Sequence, residues 1–153
     1  MGTISFKSVG ITQEQQSQSQ TKVEKIFGFK TPLQIGNGNT FAMHTSLVDQ
    51  IQDNLKNLLM TQRGERLGRE NFGTRLNSLV FELSGDDFDA QATTEIKTAV
   101  SRFMPFIVLD TFQSIIDHQD NENIGKIRIR ITYGIPQLNV RNKAIEVLLF
   151  VGG

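Results

Sequence analysis

Apolar residues between positions 47 and 59 recur at the spacing of an α-helix and leave the polar residues on the other side. Ser46 precedes this stretch, and together with Asp49 it has the spacing of a capping box in which Asp replaces the usual Glu. Gly64 follows the stretch, where a left-handed residue would end the helix. We therefore predict a first amphipathic helix whose apolar stripe contains Leu47, Val48, Ile51, Leu55, Leu58 and Leu59.

A second long helical pattern ends at Pro105, because the residue before a proline disfavours helical conformation. Ser84 and Asp86 are candidate N-cap residues, and the aspartates at 86, 87 and 89 suit the positive end of a helix dipole. We predict a shorter helix over residues 75–81. The apolar stripe of the long helix is predicted to contain Phe88, Ala92, Ile96, Ala99, Val100 and Phe103.

After Pro105 the period of the apolar positions changes from helical to two, which is typical of strands. We predict strands over residues 106–117, 126–133 and 143–151, with turns at 120–125 and 134–142. The middle strand alternates strictly, which indicates one wet face and one buried face that carries Ile127, Ile129, Ile131 and Tyr133. This order predicts an α+β fold, with two main helices and a short one packed on a three-stranded, mainly antiparallel C-terminal sheet.

The N-terminal part of the chain contains a polar low-complexity run, TQEQQSQSQ, at residues 12–20. Such a run cannot bury enough apolar area to offset its ordering entropy, so we interpret residues 1–25 as an arm that is flexible or is ordered by a partner. Apolar residues return at 26–33, and a turn is predicted at 36–39 before extended chain. We expect residues 26–153 to form a single domain.

The composition argues against several classes of function. Lys plus Arg and Asp plus Glu both number 16, so the net charge gives no general attraction to nucleic acid or to an anionic membrane. The chain has no cysteine, which excludes disulfides, thiolate metal sites and a cysteine nucleophile. The longest apolar run, at residues 147–151, is too short to span a bilayer, and no secretory signal is evident, so we expect a soluble protein.

The residues that catalysis would require are few. The two histidines, His44 and His118, lie in different predicted elements, and neither has the spacing of a zinc site. The GxSxG, Walker A and GxGxxG patterns are absent. We therefore expect no enzyme activity, no metal and no cofactor.

The segment at residues 61–73, TQRGERLGRENFG, concentrates glycine, arginine and glutamate directly after the first helix. A glycosidase would need two carboxyls about 5–10 Å apart, one of them with a raised pKa. The candidate carboxylates are Glu65, Glu70, Glu82, Asp86 and Asp87. The arginines at 63, 66 and 69 would instead lower the pKa values of the loop glutamates, and the chain has no Trp and one Tyr to stack on sugars. We expect these glutamates to pair with their neighbouring arginines.

A protein-binding role fits the same loop better than nucleic-acid binding. Glutamates lie among its arginines, and no aromatic residues interleave with them as in single-strand binders. Arg and Glu side chains on a glycine-shaped loop make geometry-specific contacts, and Phe72 would anchor the loop into the domain or into a partner. The C-terminal strands, if one lies at an edge, could add a strand from a neighbour, although Lys and Arg on residues 126–130 would equally protect an edge.

The stretch LLMTQRGERLGRENFGTRLNSLVFE, at residues 58–82, resembles the baseplate wedge family of contractile phage tails. This family, historically called lysozyme-related, includes the corresponding subunit of type VI secretion systems. Its pattern is a helix ending in Leu-Leu-x-Thr, then Gly-Glu-Arg or Gly-Ser-Arg, a Pro-x-Phe-Gly turn and Leu-Phe-Glu. The matching positions are 58–61, 64–66, 72–73 and 81–82, and the likeness extends over about residues 26–151.

Two positions depart from the family pattern. Glu70 lies near the place of the proline that usually precedes the Phe-Gly turn. Many members also end the third helix in Glu-Pro-Arg, a tripeptide tied to docking on the wedge core. Here that place contains Met104, Pro105 and Phe106, so an apolar contact would replace the polar one.

The resemblance implies a structural component of a contractile tail baseplate, located in the virion and assembled in the host cytoplasm. Its partners would be other wedge subunits and the tail sheath protein, with no nucleic acid and no membrane. Alone it would be a monomer or weak oligomer, and the baseplate would hold a ring of copies. The alternative, from the older family label, is a lysozyme-like cell-wall glycoside hydrolase.

The resemblance also implies two interfaces. One would dock the chain on the wedge core, through Gly64, Glu65, Arg66, Phe72, Gly73, Met104, Pro105 and Phe106. The other would template sheath assembly through the C-terminal strands, at Ile127, Arg128, Ile129, Arg130, Ile131, Ile145, Val147 and Leu149. Templating by strand addition is physically sensible, because main-chain hydrogen bonds give affinity and alternate side chains set the register.

Overall fold

The computed structural model describes residues 25–36, 40–82, 88–117 and 125–151. In these ranges the chain forms a small hairpin, three α-helices and a three-stranded sheet. The elements are β1 (Gly28–Phe29), β2 (Met43–His44), α1 (Leu47–Met60), α2 (Leu76–Glu82), α3 (Phe88–Phe103), β3 (Val108–Asp117), β4 (Gly125–Ile135) and β5 (Val140–Val151). Several predicted features lie outside the described residues: most of the N-terminal arm, the centre of the 36–39 turn, the candidates Ser84, Asp86 and Asp87, and His118.

The first helix begins as predicted and ends differently. The Ser46 hydroxyl accepts a hydrogen bond from the Asp49 N–H at 3.4 Å, which satisfies one of the free donors at the helix start. At the other end, the Thr61 hydroxyl and N–H both donate to the Asn57 carbonyl, at 2.6 and 3.0 Å. Gly64 has a positive φ of 92° but lies beyond this cap, so the prediction that Gly64 ends the helix is wrong.

The sheet has the order β3–β4–β5, and both pairings are antiparallel. Ile129 on the central strand is opposite Ser114 on one side and Val147 on the other. The buried face of β4 carries the four residues that its alternation predicted, Ile127, Ile129, Ile131 and Tyr133. The predicted α+β fold, with helices followed by a three-stranded antiparallel sheet, is confirmed.

The connection between β4 and β5 is shorter than predicted. A 3₁₀ turn at Pro136–Leu138 follows β4 directly, and Asn139 then takes a left-handed conformation with a φ of 53°. Asn is among the residues that tolerate this conformation. The last strand therefore begins at Val140 instead of residue 143, and β3 begins at Val108 because Phe106 lies in the turn after α3.

The hydrophobic core lies between the three helices and the inner face of the sheet. Helices α1 and α2 contact β5, whereas α3 contacts β3. Leu55 and Ala92 are completely buried in this layer together with Ile129 and Tyr133. Full burial of a Leu or Ile side chain is worth roughly 1.5–3 kcal/mol, so this interface holds the helices, and the loops between them, in place on the sheet.

Candidate functional site

The loop at residues 61–73 is closed at its base by main-chain hydrogen bonds. The Arg63 N–H donates to the Thr74 carbonyl at 3.0 Å, and the Thr74 N–H donates to the Thr61 carbonyl at 2.9 Å. Further out, the Gly64 N–H donates to the Glu70 carbonyl at 2.8 Å. The buried Thr74 hydroxyl also donates to the Leu59 carbonyl in the last turn of α1, at 2.8 Å. The loop is therefore a defined protrusion fastened to the end of α1.

Glycine is required at the position where the loop returns to its base. Gly73 has a φ of 109°, and a Cβ at this position would lie 2.3 Å from the Thr61 carbonyl oxygen. A side chain would therefore meet both an unfavourable backbone conformation and a backbone atom that cannot move away. Gly64 and Gly68 also have positive φ, but a Cβ at either would face open space.

The arginines at the loop base pair with α3 instead of with the loop glutamates. The Arg63 guanidinium lies 3.2 Å from Glu95 Oε2, and the Arg75 guanidinium lies 3.0 Å from Glu95 Oε1. In the described part of the chain, neither Glu65 nor Glu70 forms an ion pair with an arginine, so the predicted pairing is wrong. The Glu65 carboxylate instead accepts a hydrogen bond from the Gln62 N–H at 3.0 Å.

Phe72 anchors the loop into the domain, which decides between the two alternatives that the sequence left open. Its ring packs against Phe103 at the end of α3, with centroids 5.1 Å apart in an edge-to-face arrangement. The Arg66 guanidinium also lies over the Phe72 ring, 4.3 Å from its centre. The side chain is partly buried against the hydrophobic core.

This contact brings the two predicted groups of wedge-interface residues to the same side of the molecule. Met104, Pro105 and Phe106 directly follow Phe103 in the turn that leads to β3. Within this turn Pro105 is exposed, Phe106 is half-buried, and Met104 is buried in the core. The corner therefore presents Pro105 and part of Phe106 to a partner.

The tip of the loop presents a set of side chains that includes Gly64, Glu65 and Arg66 of the predicted wedge interface. Gly64, Glu65 and Arg66 are exposed, as are Arg69 and Glu70. Leu67 lies among them with its side chain fully exposed, although no pattern in the sequence distinguishes it. An apolar side chain that protrudes among carboxylates and guanidinium groups is suited to enter an apolar pocket with a charged rim.

The residues predicted for the sheath interface lie on both faces of the sheet. Six of them face the helices and are buried in the core, namely Ile127, Ile129, Ile131, Ile145, Val147 and Leu149. Arg128 and Arg130 lie on the outer face, where Arg130 is 3.9 Å from Glu146 of β5. Since β4 pairs on both sides, the main-chain edges of this sheet belong to β3 and β5.

The described residues contain no group of three or more His, Asp or Glu side chains that could hold a metal ion. His44 is buried, and its Nε2 lies 2.7 Å from Asp53 Oδ2. Burial acts to raise the pKa of Asp53, but hydrogen bonds from His44 and from the Thr31 N–H and hydroxyl outweigh it and lower the pKa below its usual value.

No described helix is long and apolar enough to cross a membrane.

The model of the family described as baseplate wedge protein gp25 matches residues 45–139, which is more than half of the chain. The chain belongs to this family. The matched range contains both the loop and the corner after α3, and it ends directly before β5. The resemblance inferred from residues 58–82 is confirmed, and this baseplate wedge protein is a structural component of a tail baseplate.

Solved structures with a similar fold support the architecture of this baseplate wedge protein. A chain in the baseplate of the anti-feeding prophage is 22% identical with a TM-score of 0.59, covering 70% of this chain and 82% of that one. A protein of Geobacter sulfurreducens described as a tail lysozyme is 23% identical with a TM-score of 0.53, covering 69% of this chain and 90% of that one. A comparison with curated proteins found no match.

Proposed function

We propose that this baseplate wedge protein docks on other wedge subunits through one composite surface. This surface, the docking surface, comprises the tip of the loop, at residues 64–70, and the exposed part of the corner, Pro105 and Phe106. The observation that carries the proposal is the packing of Phe72 on Phe103, which joins the two segments. Because both segments are fastened to the core, a partner would meet a preorganised site and would lose little entropy in ordering it.

The chemistry of the docking surface favours a protein partner with an apolar pocket and charged surroundings. Leu67 would enter the pocket, while the exposed Glu65 and Arg69 would form ion pairs or hydrogen bonds at its rim. Arg66 is already held over the Phe72 ring, so its guanidinium is oriented before a partner arrives. The corner would add an apolar contact through Pro105 and Phe106, in place of the charged contact of many family members.

We propose that sheath assembly begins at the β5 edge of the sheet. Within the described residues the outer edge of β5 pairs with no other strand, whereas β4 is paired on both sides. An added strand would gain main-chain hydrogen bonds along β5, and the exposed Leu148 and Phe150 would contact its side chains. The buried residues of β4 and β5 would act indirectly, by holding the edge in position.

The expected partners are therefore other wedge subunits and the tail sheath protein, in a virion tail that is assembled in the host cytoplasm. The protein alone would be a monomer or a weak oligomer, and the baseplate would hold a ring of copies. We propose no enzymatic role, no nucleic-acid partner and no membrane partner. Glu65 and Glu70 are both exposed on the loop, whereas a glycosidase needs one carboxyl in apolar surroundings.

Co-expression with the neighbouring wedge subunits tests the docking surface. Arg66→Glu reverses the charge beside Leu67 and should abolish co-purification of the wedge partner, while circular dichroism shows an unchanged fold. Lys56→Glu, at an exposed position of α1, makes the same charge change and should leave co-purification intact. If Arg66→Glu still co-purified with wedge subunits as the wild type does, the docking surface would be misplaced.

Two further measurements separate the remaining functions. A photo-crosslinking residue at Glu146 or Leu148 should capture the sheath protein, and capture of wedge subunits alone would contradict the proposed role of β5.

Purified protein should not cleave peptidoglycan. Cleavage that Glu65→Gln abolished would overturn the assembly role in favour of the hydrolase.

A further inference from the structure

The hairpin segments at residues 25–36 and 40–44 have two chemically different faces. In its register Phe29 is opposite Met43, and Ile35 is opposite Phe41. Opposite residues and residues two apart on one strand share a face, so these four side chains lie on the same face of the hairpin. His44 is opposite Gly28 and therefore lies on the other face.

The second face is fastened to α1 by a polar cluster. Asp53 Oδ2 accepts hydrogen bonds from the Thr31 N–H at 2.8 Å and the Thr31 hydroxyl at 3.1 Å, and it lies 2.7 Å from His44 Nε2. The Asn57 amide adds a bond to the Thr31 hydroxyl at 3.3 Å. The face with Phe29, Ile35 and Phe41 is thereby held pointing away from the domain, and we call it the outer hairpin face.

The outer hairpin face is apolar and exposed. Phe29 is 52% exposed, Phe41 is 55% exposed and Ile35 is 79% exposed, and the two rings meet edge to face at 5.8 Å. Ile26 and Leu33, next to these residues in the chain, are also more than half exposed. Exposed apolar side chains that lie together on one face mark an interaction surface more often than scattered single ones do.

The charges around this face favour one kind of partner. Lys25 and Lys30 are exposed, and residues 25–36 and 40–44 contain no carboxylate. A partner would therefore gain by placing Asp or Glu beside its apolar side chains. Asp53 of α1 is already bound to Thr31 and His44 on the opposite face.

The geometry favours a helix over a strand as the partner element. Strands β1 and β2 contain two residues each, so an added strand would gain few main-chain hydrogen bonds. A helix satisfies its own backbone and needs only side-chain contact along one stripe. We propose that the outer hairpin face binds an acidic amphipathic helix of another protein. This inference does not depend on the docking surface or on the β5 edge.

The test measures binding of two fluorescent peptides of about 20 residues to the full chain by anisotropy. Both peptides have a leucine stripe at helical spacing, with Glu beside the stripe in one and Lys in the other. The Glu peptide should bind at least about tenfold more tightly than the Lys peptide, and added salt should weaken it. Phe41→Ser should lower the affinity for the Glu peptide by about tenfold or more, because it removes a central apolar anchor.

Matched variants keep the test independent of folding. Ile35→Ser removes a side chain that is 79% exposed and should weaken binding of the Glu peptide without unfolding the hairpin. Lys30→Glu should also weaken it, by severalfold. Ile115→Ser removes an exposed apolar residue of β3 and should leave binding unchanged.

Several results would overturn the proposal. Equal binding of the two peptides would show that the lysines do not contribute. Unchanged binding of the Glu peptide to both Phe41→Ser and Ile35→Ser would show that it does not bind the outer hairpin face. The face would instead bind a membrane if the chain sedimented with vesicles of anionic lipid, if Phe41→Ser abolished this sedimentation, and if the Glu peptide did not bind. A concentration-dependent dimer that Phe41→Ser abolishes would assign it to a second copy of the chain.

Discussion

The ring of Phe72 packs against the ring of Phe103, with centroids 5.1 Å apart and planes inclined at 63°. Phe72 lies near the end of the charged loop after α1, and Phe103 is the last residue of α3. One aromatic contact therefore couples two segments that are far apart in the chain. The relative position of the two parts of the proposed docking surface depends on this contact.

Replacement of Phe72 by Ala should destabilise the fold and release the loop. Because the side chain is only partly buried, we expect a loss of about 2 kcal/mol in the free energy of unfolding, less than a fully buried Phe would cost. Denaturant unfolding measures this loss. Leu67→Ala, at a fully exposed position of the same loop, should change stability by less than about 0.5 kcal/mol.

Replacement of Gly73 by Ala should be more costly than the same change at Gly68. Both residues have a positive φ, but only at Gly73 would the new Cβ meet a carbonyl oxygen, that of Thr61 at 2.3 Å. We expect Gly68→Ala to lower the free energy of unfolding by about 1 kcal/mol through the unfavourable φ alone. Gly73→Ala should lower it by at least about 2 kcal/mol more, because the Cβ also meets the carbonyl. Equal losses in thermal unfolding would show that the loop base adapts freely.

Replacement of Glu95 by Gln should weaken the attachment of the loop base to α3. Glu95 is bound by Arg63 and Arg75, which are themselves a third to more than half exposed, so solvent screening limits the loss to about 0.5–1.5 kcal/mol. Glu70→Gln is the matched control and should be neutral. A double-mutant cycle with Arg63→Ala would show coupling for Glu95 and none for Glu70.

The stability of the hairpin attachment should fall in acid because of Asp53. Its pKa in the folded state lies below the ordinary value of 3.8, so its contribution to stability is complete above that value and is lost as the pH falls through the folded pKa. Asp53→Asn should cost about 1–3 kcal/mol at neutral pH and flatten the pH dependence of unfolding below about pH 5. Asp110→Asn, at an exposed position of β3, controls for the loss of a charge.

The hydroxyl of Tyr133 should contribute nothing to stability at neutral pH. It is buried, and within the described residues it has no hydrogen-bond partner, so Tyr133→Phe should be neutral or stabilising by up to about 1 kcal/mol. Burial, and to a lesser extent Asp49, raises the pKa of Tyr133 above 10.0. The folded state should therefore lose stability as the pH rises above 10.0, and the Phe variant should lack this loss. Denaturant unfolding at neutral pH and at about pH 11 measures both effects.

Features with a local periodic signal could be predicted from the sequence. The stripe through Leu55 and the alternation through Ile129 depend only on nearby residues. The alternation is buried as expected, and the stripe is buried from Ile51 to Leu59, whereas Leu47 at its start is exposed. The end of α1 could not be placed correctly from the sequence, because Thr61 caps the helix through the Asn57 carbonyl, whereas the Gly64 N–H donates to the Glu70 carbonyl within the loop. The loop segment is distinguishable in the sequence because its composition is unusual for a connection.

Features that depend on distant residues were missed or assigned wrongly. The partner of Arg63 is Glu95, which no local pattern distinguishes from other polar residues of α3. The two faces of the hairpin depend on its register, in which Phe29 pairs with Met43 and Ile35 pairs with Phe41. Six residues on one side therefore match two on the other, and a strict alternation along the sequence does not predict which side chains share a face. Leu67 has no apolar neighbour at either period, and only its exposure shows that it is available to a partner.

The most direct test of the central claim is photo-crosslinking from position 67 in assembled baseplates. A photo-reactive residue replaces Leu67, and because this side chain is fully exposed the fold should not change. The account predicts a cross-linked product with another wedge subunit, which Arg66→Glu in the same chain abolishes. Incorporation into baseplates with no product from position 67, or with a product to the sheath protein alone, would contradict the account.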